Sequence, residues 1–235
     1  MLTAPPIDTL LLDFGHTLCD TASSPSFIAE WSASNGTPIA VDQATRLWDA
    51  ARIASRSAEE LAKGRDRTPE LHVACWNSLW AELDSLSPGI ASALYVHETG
   101  PDGWVPFIDT IEFLHGARAR GLRIAVISDV AFDLVPIAQA HGFAGLIDAF
   151  VLSYRHGALK ADGPMLFDVA LQALGSTASS ALMVGDNTFN DGLGISAGVR
   201  TLLLPHAPTG AARGLATALA LVDGLATFAH LSHHG

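Results

Sequence analysis

Cysteine is scarce in this chain, with two in 235 residues, Cys19 and Cys75. Two thiols build neither a disulfide framework nor a thiolate metal cluster, and both read as reduced side chains of a cytoplasmic protein. Basic residues are also few, 13 against 24 acidic ones, for a formal net charge of −11. A surface that tracks nucleic-acid phosphates needs the opposite excess, so no nucleic-acid partner is expected. No run of about 18 apolar residues occurs, so no membrane span is expected. The first residues carry neither the basic stretch nor the apolar core of a secretory signal. Charged residues make up only 16% of the chain and hydrophobic ones 49%. That balance excludes a disordered chain and allows a sizeable core.

Five short apolar runs are present: Ile7–Leu12, Leu122–Ile127, Ile147–Leu152, Ala181–Val184 and Val199–Leu204. They are apolar on consecutive residues rather than alternating, the pattern of strands buried on both faces of a parallel sheet. Between them lie helix-like segments at Phe107–Arg120, Phe132–His141, Pro164–Leu174 and Asn190–Ala197, each followed by a glycine stop at Gly121, Gly142, Gly175 and Gly198. This alternation predicts a doubly wound α/β fold with a parallel, Rossmann-like sheet. Residues 20–103 break the rhythm. They read as helices at Pro25–Ser34, Val41–Lys63, Pro69–Ser85 and Ile90–His97, an all-helical cap inserted after the first strand, with residues 1–19 and 104–235 forming the core. Hinges are expected near Cys19–Ser24 and Gly100–Val105.

Polar residues fall at the carboxyl ends of three of these strands. They are Asp13-Phe14-Gly15-His16-Thr17, then Ser128-Asp129, then Gly185-Asp186-Asn187 with Asn190-Asp191 following. In a parallel sheet those ends share one edge, where ligands bind. Lys160, in the polar loop after the third strand, can join them. Asp13 and Asp186 are hard oxygen donors of the kind Mg²⁺ prefers. Ser128 and Lys160 offer hydrogen bonds and charge to an anion, and a carboxylate can serve as nucleophile. Taken singly, each residue has a plainer reading: a turn or cap for the aspartates, Ser128 and Thr17, and a solvated charge for Lys160. Their co-occurrence at strand ends, in this order, is what points to chemistry.

The same order carries a resemblance. Asp13-Phe14-Gly15-His16-Thr17-Leu18 resembles the first motif of the haloacid dehalogenase superfamily, usually D-x-D-G-T-L. Val126-Ile127-Ser128-Asp129 resembles the second. Lys160-Ala161-Asp162-Gly163-Pro164-Met165-Leu166-Phe167 resembles the third, with Ala161 in place of a proline and one extra residue, Gly163. Gly185-Asp186 through Asp191 resembles the fourth, G-D-x-x-x-x-D. The resemblance implies a nucleophile at Asp13 that also binds Mg²⁺, a second ligand in the main-chain carbonyl of Gly15, and a third in Asp186. It implies that Asp191 is either a ligand through water or a support for Lys160. Ser128 and Lys160 are then the phosphate donors, with Asp129 and Asn187 nearby, and Thr17 supports the first loop.

One departure matters. Phosphatases of this superfamily carry a second aspartate two residues after the nucleophile, as general acid and base. Here that position is Gly15, and such a group contributes about 10²–10⁴-fold. Three readings stay open. The first is a Mg²⁺-dependent phosphatase of a small phosphorylated metabolite that has a good leaving group, or that borrows an acid from the cap or from His16. The second is a hydrolase like the 2-haloacid dehalogenases, whose halide leaves without a proton; the metal-type aspartates weaken it. The third is a binding protein that keeps the fold with little catalysis.

Gly194-Ile195-Ser196-Ala197-Gly198 matches a serine-hydrolase elbow in letters, but a helix precedes the serine and a strand follows, the wrong order. Specificity is expected from the cap, whose basic residues are Arg46, Arg52, Arg56, Lys63, Arg65 and Arg67, with His72 titratable. Trp76 and Trp80 read first as core packing and second as pocket lining. The terminal His230, His233 and His234 read as a frayed end. Oligomeric state is not legible.

Overall fold

Leu10, Leu11 and Leu12 are consecutive and all fully buried, which requires packing on both faces of their strand. The computed structural model describes residues 5–232, with side chains through residue 225, so the histidine tail lies outside what is described. β1 (Thr9–Leu12) is the centre of a five-stranded parallel sheet in the order β5-β4-β1-β6-β7, with β4 (Arg123–Ser128), β5 (Ala149–Leu152), β6 (Ala181–Gly185) and β7 (Arg200–Leu203). Leu10 and Leu12 join Ile124, Val126 and Val184 on one face; Leu11 joins Ala125, Ile127 and Met183 on the other. The first face packs against α7 (Thr110–Ala119), α8 (Val135–Ala140) and α11 (Ala216–Ser232), and the second against α10 (Met165–Ala173). The short α9 (Ser153–His156) follows β5. This is the expected doubly wound α/β architecture; three of the five apolar runs contain their strands, and β4 and β6 each extend one residue past theirs, to Ser128 and Gly185. Strand order reverses at β1, the place where such sheets bind ligands.

Residues 24–99 form six helices: α1 (Ser24–Ser34), α2 (Val41–Ala54), α3 (Ala58–Ala62), α4 (Pro69–Leu79), α5 (Ala81–Leu86) and α6 (Ile90–Thr99). They enclose their own cluster, with Ile28, Trp48, Trp80, Leu83, Ile90 and Leu94 at its centre. Two of the expected helices are each broken in two. The run 41–63 is interrupted at Ser55–Ser57, where the Ser57 hydroxyl caps a new helix by accepting from the Glu60 amide. The run 69–85 is interrupted at Trp80, whose ψ of 11° leaves the helical basin. Two short strands were not expected: β2 (Cys19–Thr21) and β3 (Trp104–Pro106) pair antiparallel. The two crossings between sheet and helices are therefore a hydrogen-bonded ribbon, where the sequence suggests loose hinges. Helices α7 and α8 start three residues later than their apolar patterns, at Thr110 and Val135, and residues 191–197 are a 3₁₀ helix. Among the described residues no helix is long and apolar enough to cross a membrane.

Candidate active site

The carboxyl ends of β1, β4 and β6 converge as the strand pairing requires, with Leu12 level with both Val126 and Val184. Asp13 follows β1 directly, Ser128 ends β4, and Asp186 follows β6. Lys160 comes from the loop beyond α9 and is 2% exposed. Its ammonium donates to Asp13 Oδ1 at 2.8 Å, to Asp191 Oδ1, and to the Ile127 carbonyl at 3.3 Å. Its own amide donates to Asp129 Oδ1 at 2.9 Å.

Asp191 is fully buried. Its Oδ2 accepts from the amides of Asp186 (3.0 Å) and Asn187 (2.9 Å). Both of its oxygens are thus engaged, so the geometry suits the support of Lys160 rather than direct ligation. Gly185 is glycine for a reason of space, since a Cβ there would overlap the Asp191 carboxylate.

Carboxylate oxygens of Asp13, Asp186 and Asp191 all lie within 4.8 Å of one another. Two oxygens on opposite sides of one Mg²⁺ stand about 4.2 Å apart, given bonds of about 2.1 Å. Asp13 and Asp186, with Gly15 bordering the same cavity, are therefore a donor set that fits such an ion. The electrostatics agree. Burial raises the Asp13 pKa to about 7, with Asp191 and Asp186 adding to the rise against the opposing pull of Lys160. Burial also raises Asp186 and Asp129. Asp13, Asp191 and Asp129 crowd one lysine, which they hold firmly protonated against the burial that opposes it.

A cavity of about 760 Å³ opens over this cluster. Asp13, Gly15, His16, Ser128, Asp129, Lys160, Asp186 and Asn187 all border it; Thr17 and Asp191 do not. Ser128 is 3% exposed and makes no side-chain hydrogen bond within the described chain. Thr17 is fully buried and its hydroxyl has no partner, so its place in the first loop rests on packing and on its amide bond to the Phe14 carbonyl. The Asn187 side chain turns back to accept from the Phe189 amide at 2.9 Å.

The first loop inverts the usual order of its glycine. His16 is the one non-glycine residue with positive φ (55°) among the described residues, at the place where the motif has glycine. Its Nδ1 lies 2.8 Å from Asp20 Oδ1, which raises the imidazole pKa. Gly15 has ordinary backbone angles, and a Cβ there would meet the Trp104 ring at 3.6 Å.

Several contributors carried no signal in the sequence. Trp104, Asp20 and Arg213 belong to none of the four motifs and reach the site only through the fold. Arg213, 3% exposed, donates through Nε to the His16 carbonyl and through its other nitrogens to the Pro205 and Leu204 carbonyls. It places a buried positive charge behind the loop, near Asp186, Asp20 and Asp13. From the cap, His72 has its pKa lowered to about 4 by burial. Its Nε2 accepts from Trp76 Nε1 at 3.0 Å, which leaves the proton on Nδ1, 2.9 Å from the Tyr95 hydroxyl.

Contacts away from the ribbon also tie cap to core. Arg67 makes a bidentate pair with Asp162 (2.6 and 2.7 Å) and donates to the Gly157 carbonyl at 3.1 Å. Ser153 Oγ donates to the Asp66 carbonyl at 2.7 Å.

A sheet of this order with these groups along its edge defines a hydrolase class, and comparison with known proteins agrees. The sequence model described as "Hydrolase: haloacid dehalogenase-like hydrolase" matches residues 7–198. The chain belongs to that family. It is 34% identical over 116 residues to the haloacid dehalogenase-like hydrolase domain-containing protein 3 of Danio rerio, a match over 49% of this chain and 48% of that protein, so it spans about half of that relative's length. Among solved structures it resembles an HAD phosphatase from Thermococcus onnurineus, with TM-score 0.61 and 18% identity over 93% of this chain and 99% of that one. It also resembles the L-2-haloacid dehalogenase RSc1362, with TM-score 0.69 and 21% identity over 93% and 100%. At these identities the structural likeness speaks to the fold.

Proposed function

We propose that the chain is a Mg²⁺-dependent phosphohydrolase of small phosphate esters, with Asp13 as nucleophile. The observation that carries this reading is the buried lysine bridge. Lys160 binds Asp13 and Asp191 at once, beside Asp186, so one cation and three acidic side chains meet at the strand edge.

Lys160 holds Asp13 Oδ1, which turns the carboxylate and leaves Oδ2 to attack phosphorus. As that bond forms, the bond from phosphorus to the ester oxygen breaks, and its electron pair leaves on that oxygen as an alkoxide or phenolate, which takes up a proton from water. Lys160 and Ser128 donate to the phosphoryl oxygens, where charge develops. Water then attacks the aspartyl phosphate and releases inorganic phosphate and free Asp13. Asp13, Asp186 and the Gly15 carbonyl would hold Mg²⁺, which when bound neutralises charge on the phosphoryl group. Asp191 keeps Lys160 in place. Asp129 and Asn187 border the substrate, and Thr17 packs the loop beneath it. His16, braced by Asp20, borders the cavity beside Gly15 and would serve only where a leaving group needs a proton.

One observation favours a second reading. A halide needs no proton, so a site without an acid at Gly15 also suits a 2-haloacid dehalogenase. The paired Asp13 and Asp186 favour the phosphatase.

The test is release of p-nitrophenol from its phosphate. Turnover that needs Mg²⁺, stops with EDTA, and is lost in Asp13→Ala supports the proposal. Halide release from 2-haloacids in EDTA would replace it with the dehalogenase. Bound Mg²⁺ without turnover of aryl or acyl phosphates would point to a binding protein on this fold.

A further inference from the structure

Resting on the phosphatase reading, we infer that its substrate is an aryl phosphate whose ring carries an anionic substituent. The cavity lies between a polar floor and an aromatic wall. Its volume of about 760 Å³ is within the range of small-molecule sites and exceeds what a phosphate group fills. Four of the chain's five tryptophans, Trp48, Trp76, Trp80 and Trp104, border it. Trp76 and Trp48 stack on Trp80 with centroids 4.9 and 6.1 Å away, and Trp104 lies 6.3 Å from Phe132. Trp48 and Trp80 are buried in the cap's own core, so the rings open to a ligand are the half-buried Trp76, Trp104 and Phe132, whose edges can meet a planar apolar ring.

Two of the indole donors on this wall are already spent. Trp76 Nε1 is spent on His72, and Trp104 Nε1 donates to the Glu98 carbonyl at 2.9 Å. Both nitrogens of His72 are occupied by Trp76 and Tyr95. A polyol would find these groups already paired, whereas an aromatic ring asks no hydrogen bond of them.

The chemistry at Gly15 points the same way. No acid stands there, and the Trp104 ring flanks the space. An alkoxide leaves poorly without a proton, whereas a phenolate, with a pKa near 10, leaves without one.

Charge supplies the substituent. Arg52 and Arg56 border the cavity from the end of α2, and neither forms an ion pair among the described residues. Arg65, by contrast, is committed: it lies over the Trp76 ring at 5.2 Å and donates to the Ser55 carbonyl at 2.8 Å. In a chain of net charge −11, Arg56 on that wall, with Arg52 beside it near the buried Glu98, matches an anion at the far end of the ring.

The experiment has a binding arm and a turnover arm. In the binding arm, Asp13→Asn with Mg²⁺ is titrated with phenyl phosphate, 4-carboxyphenyl phosphate and glycerol 3-phosphate, following tryptophan fluorescence. The intrinsic lability of aryl esters plays no part there. The expected result is quenching by both aryl esters and at least about tenfold weaker binding of the glycerol ester. The carboxylated ester should bind about tenfold tighter than phenyl phosphate, the scale of a charge-assisted hydrogen bond. In Arg56→Ala, at an exposed position, that ratio should fall toward one. Equal affinity for aryl and glycerol esters, or no gain from the carboxylate, would overturn the inference. In the turnover arm, wild-type enzyme is assayed with acetyl phosphate as well. Hydrolysis of acetyl phosphate without aryl preference in binding sinks the substrate class and leaves the phosphatase. No phosphate from acetyl phosphate or any ester sinks the phosphatase itself.

Discussion

The Trp104 indole stands 3.6 Å from the point where a Cβ on Gly15 would sit. Trp104 is held there firmly. It packs edge-on against Phe14, with centroids 5.5 Å apart, and its Nε1 is bonded to the Glu98 carbonyl. The missing acid of the first motif is therefore more than a deleted side chain, because the space beside it is shared with a ring.

Restoring the acid alone should accordingly do little. Gly15→Asp admits its Cβ in ordinary contact, but the carboxylate must turn away from the ring. Its gain in kcat/KM on glycerol 3-phosphate is expected to stay under about tenfold, against the 10²–10⁴-fold of a well-placed acid. Gly15→Asp combined with Trp104→Ala should gain more. A large gain from the single change, measured by phosphate release, would show that Trp104 leaves the position free.

Lys160→Met should abolish turnover and destabilise the fold. The change removes the buried cation bound directly to Asp13 and Asp191, and breaking a buried pair from one side costs about 3–5 kcal/mol. Chemical denaturation should show a loss of that order at pH 8. A smaller loss at pH 5 is expected, since raised carboxylate pKa values let those groups protonate instead. Equal stability at both values would contradict the burial argument.

Glu98 makes the cap sensitive to pH. Burial raises its pKa to about 7, opposed by the Ser24 hydroxyl and Arg52. The folded state thus binds a proton more tightly than the unfolded one, so this contribution to stability is full below about pH 4.5 and is lost as pH rises toward 7. Glu98→Gln keeps the acceptor for Ser24 and should stabilise the protein at pH 8 by on the order of 2 kcal/mol, with the difference vanishing near pH 4.5. Thermal melts across that range decide it; a gain equal at all pH values would mean that the charge is not the cause.

Arg67 clasps Asp162, two residues from Lys160, across the opening between cap and core. The pair is partly exposed, so Arg67→Ala should shift stability by no more than about 1 kcal/mol. Its effect should fall on cap closure, with KM raised severalfold. Hydrogen exchange in the β2–β3 ribbon should also quicken. Unchanged KM and unchanged exchange would leave the pair as surface decoration.

Much of the fold and site was legible because it is local. Leu10-Leu11-Leu12 announces a doubly buried strand, and Asp13, Ser128 and Asp186 then follow from the direction of a parallel sheet. Lys160 was legible through its motif. What was hidden depends on residues that meet only after folding. Trp104 is 89 positions from Gly15, and Arg213 reaches the His16 carbonyl from 197 positions away. The β2–β3 ribbon, three residues a strand, is too short to give a period. The break at Ser55–Ser57 rests on one hydroxyl cap within a polar stretch that a longer helix would tolerate equally well. The Gly15-His16 inversion was visible in the letters, but its cost, a histidine at φ 55°, shows only in the backbone.

The account stands on Asp13 and Asp186 acting on the same ion. Crystals soaked in Mn²⁺ and measured at its absorption edge test this directly. One anomalous peak is predicted, roughly 2.1 Å from a carboxylate oxygen of each residue, and absent in Asp186→Ala. A peak that touches only one of the two, or none at the strand edge, would contradict it.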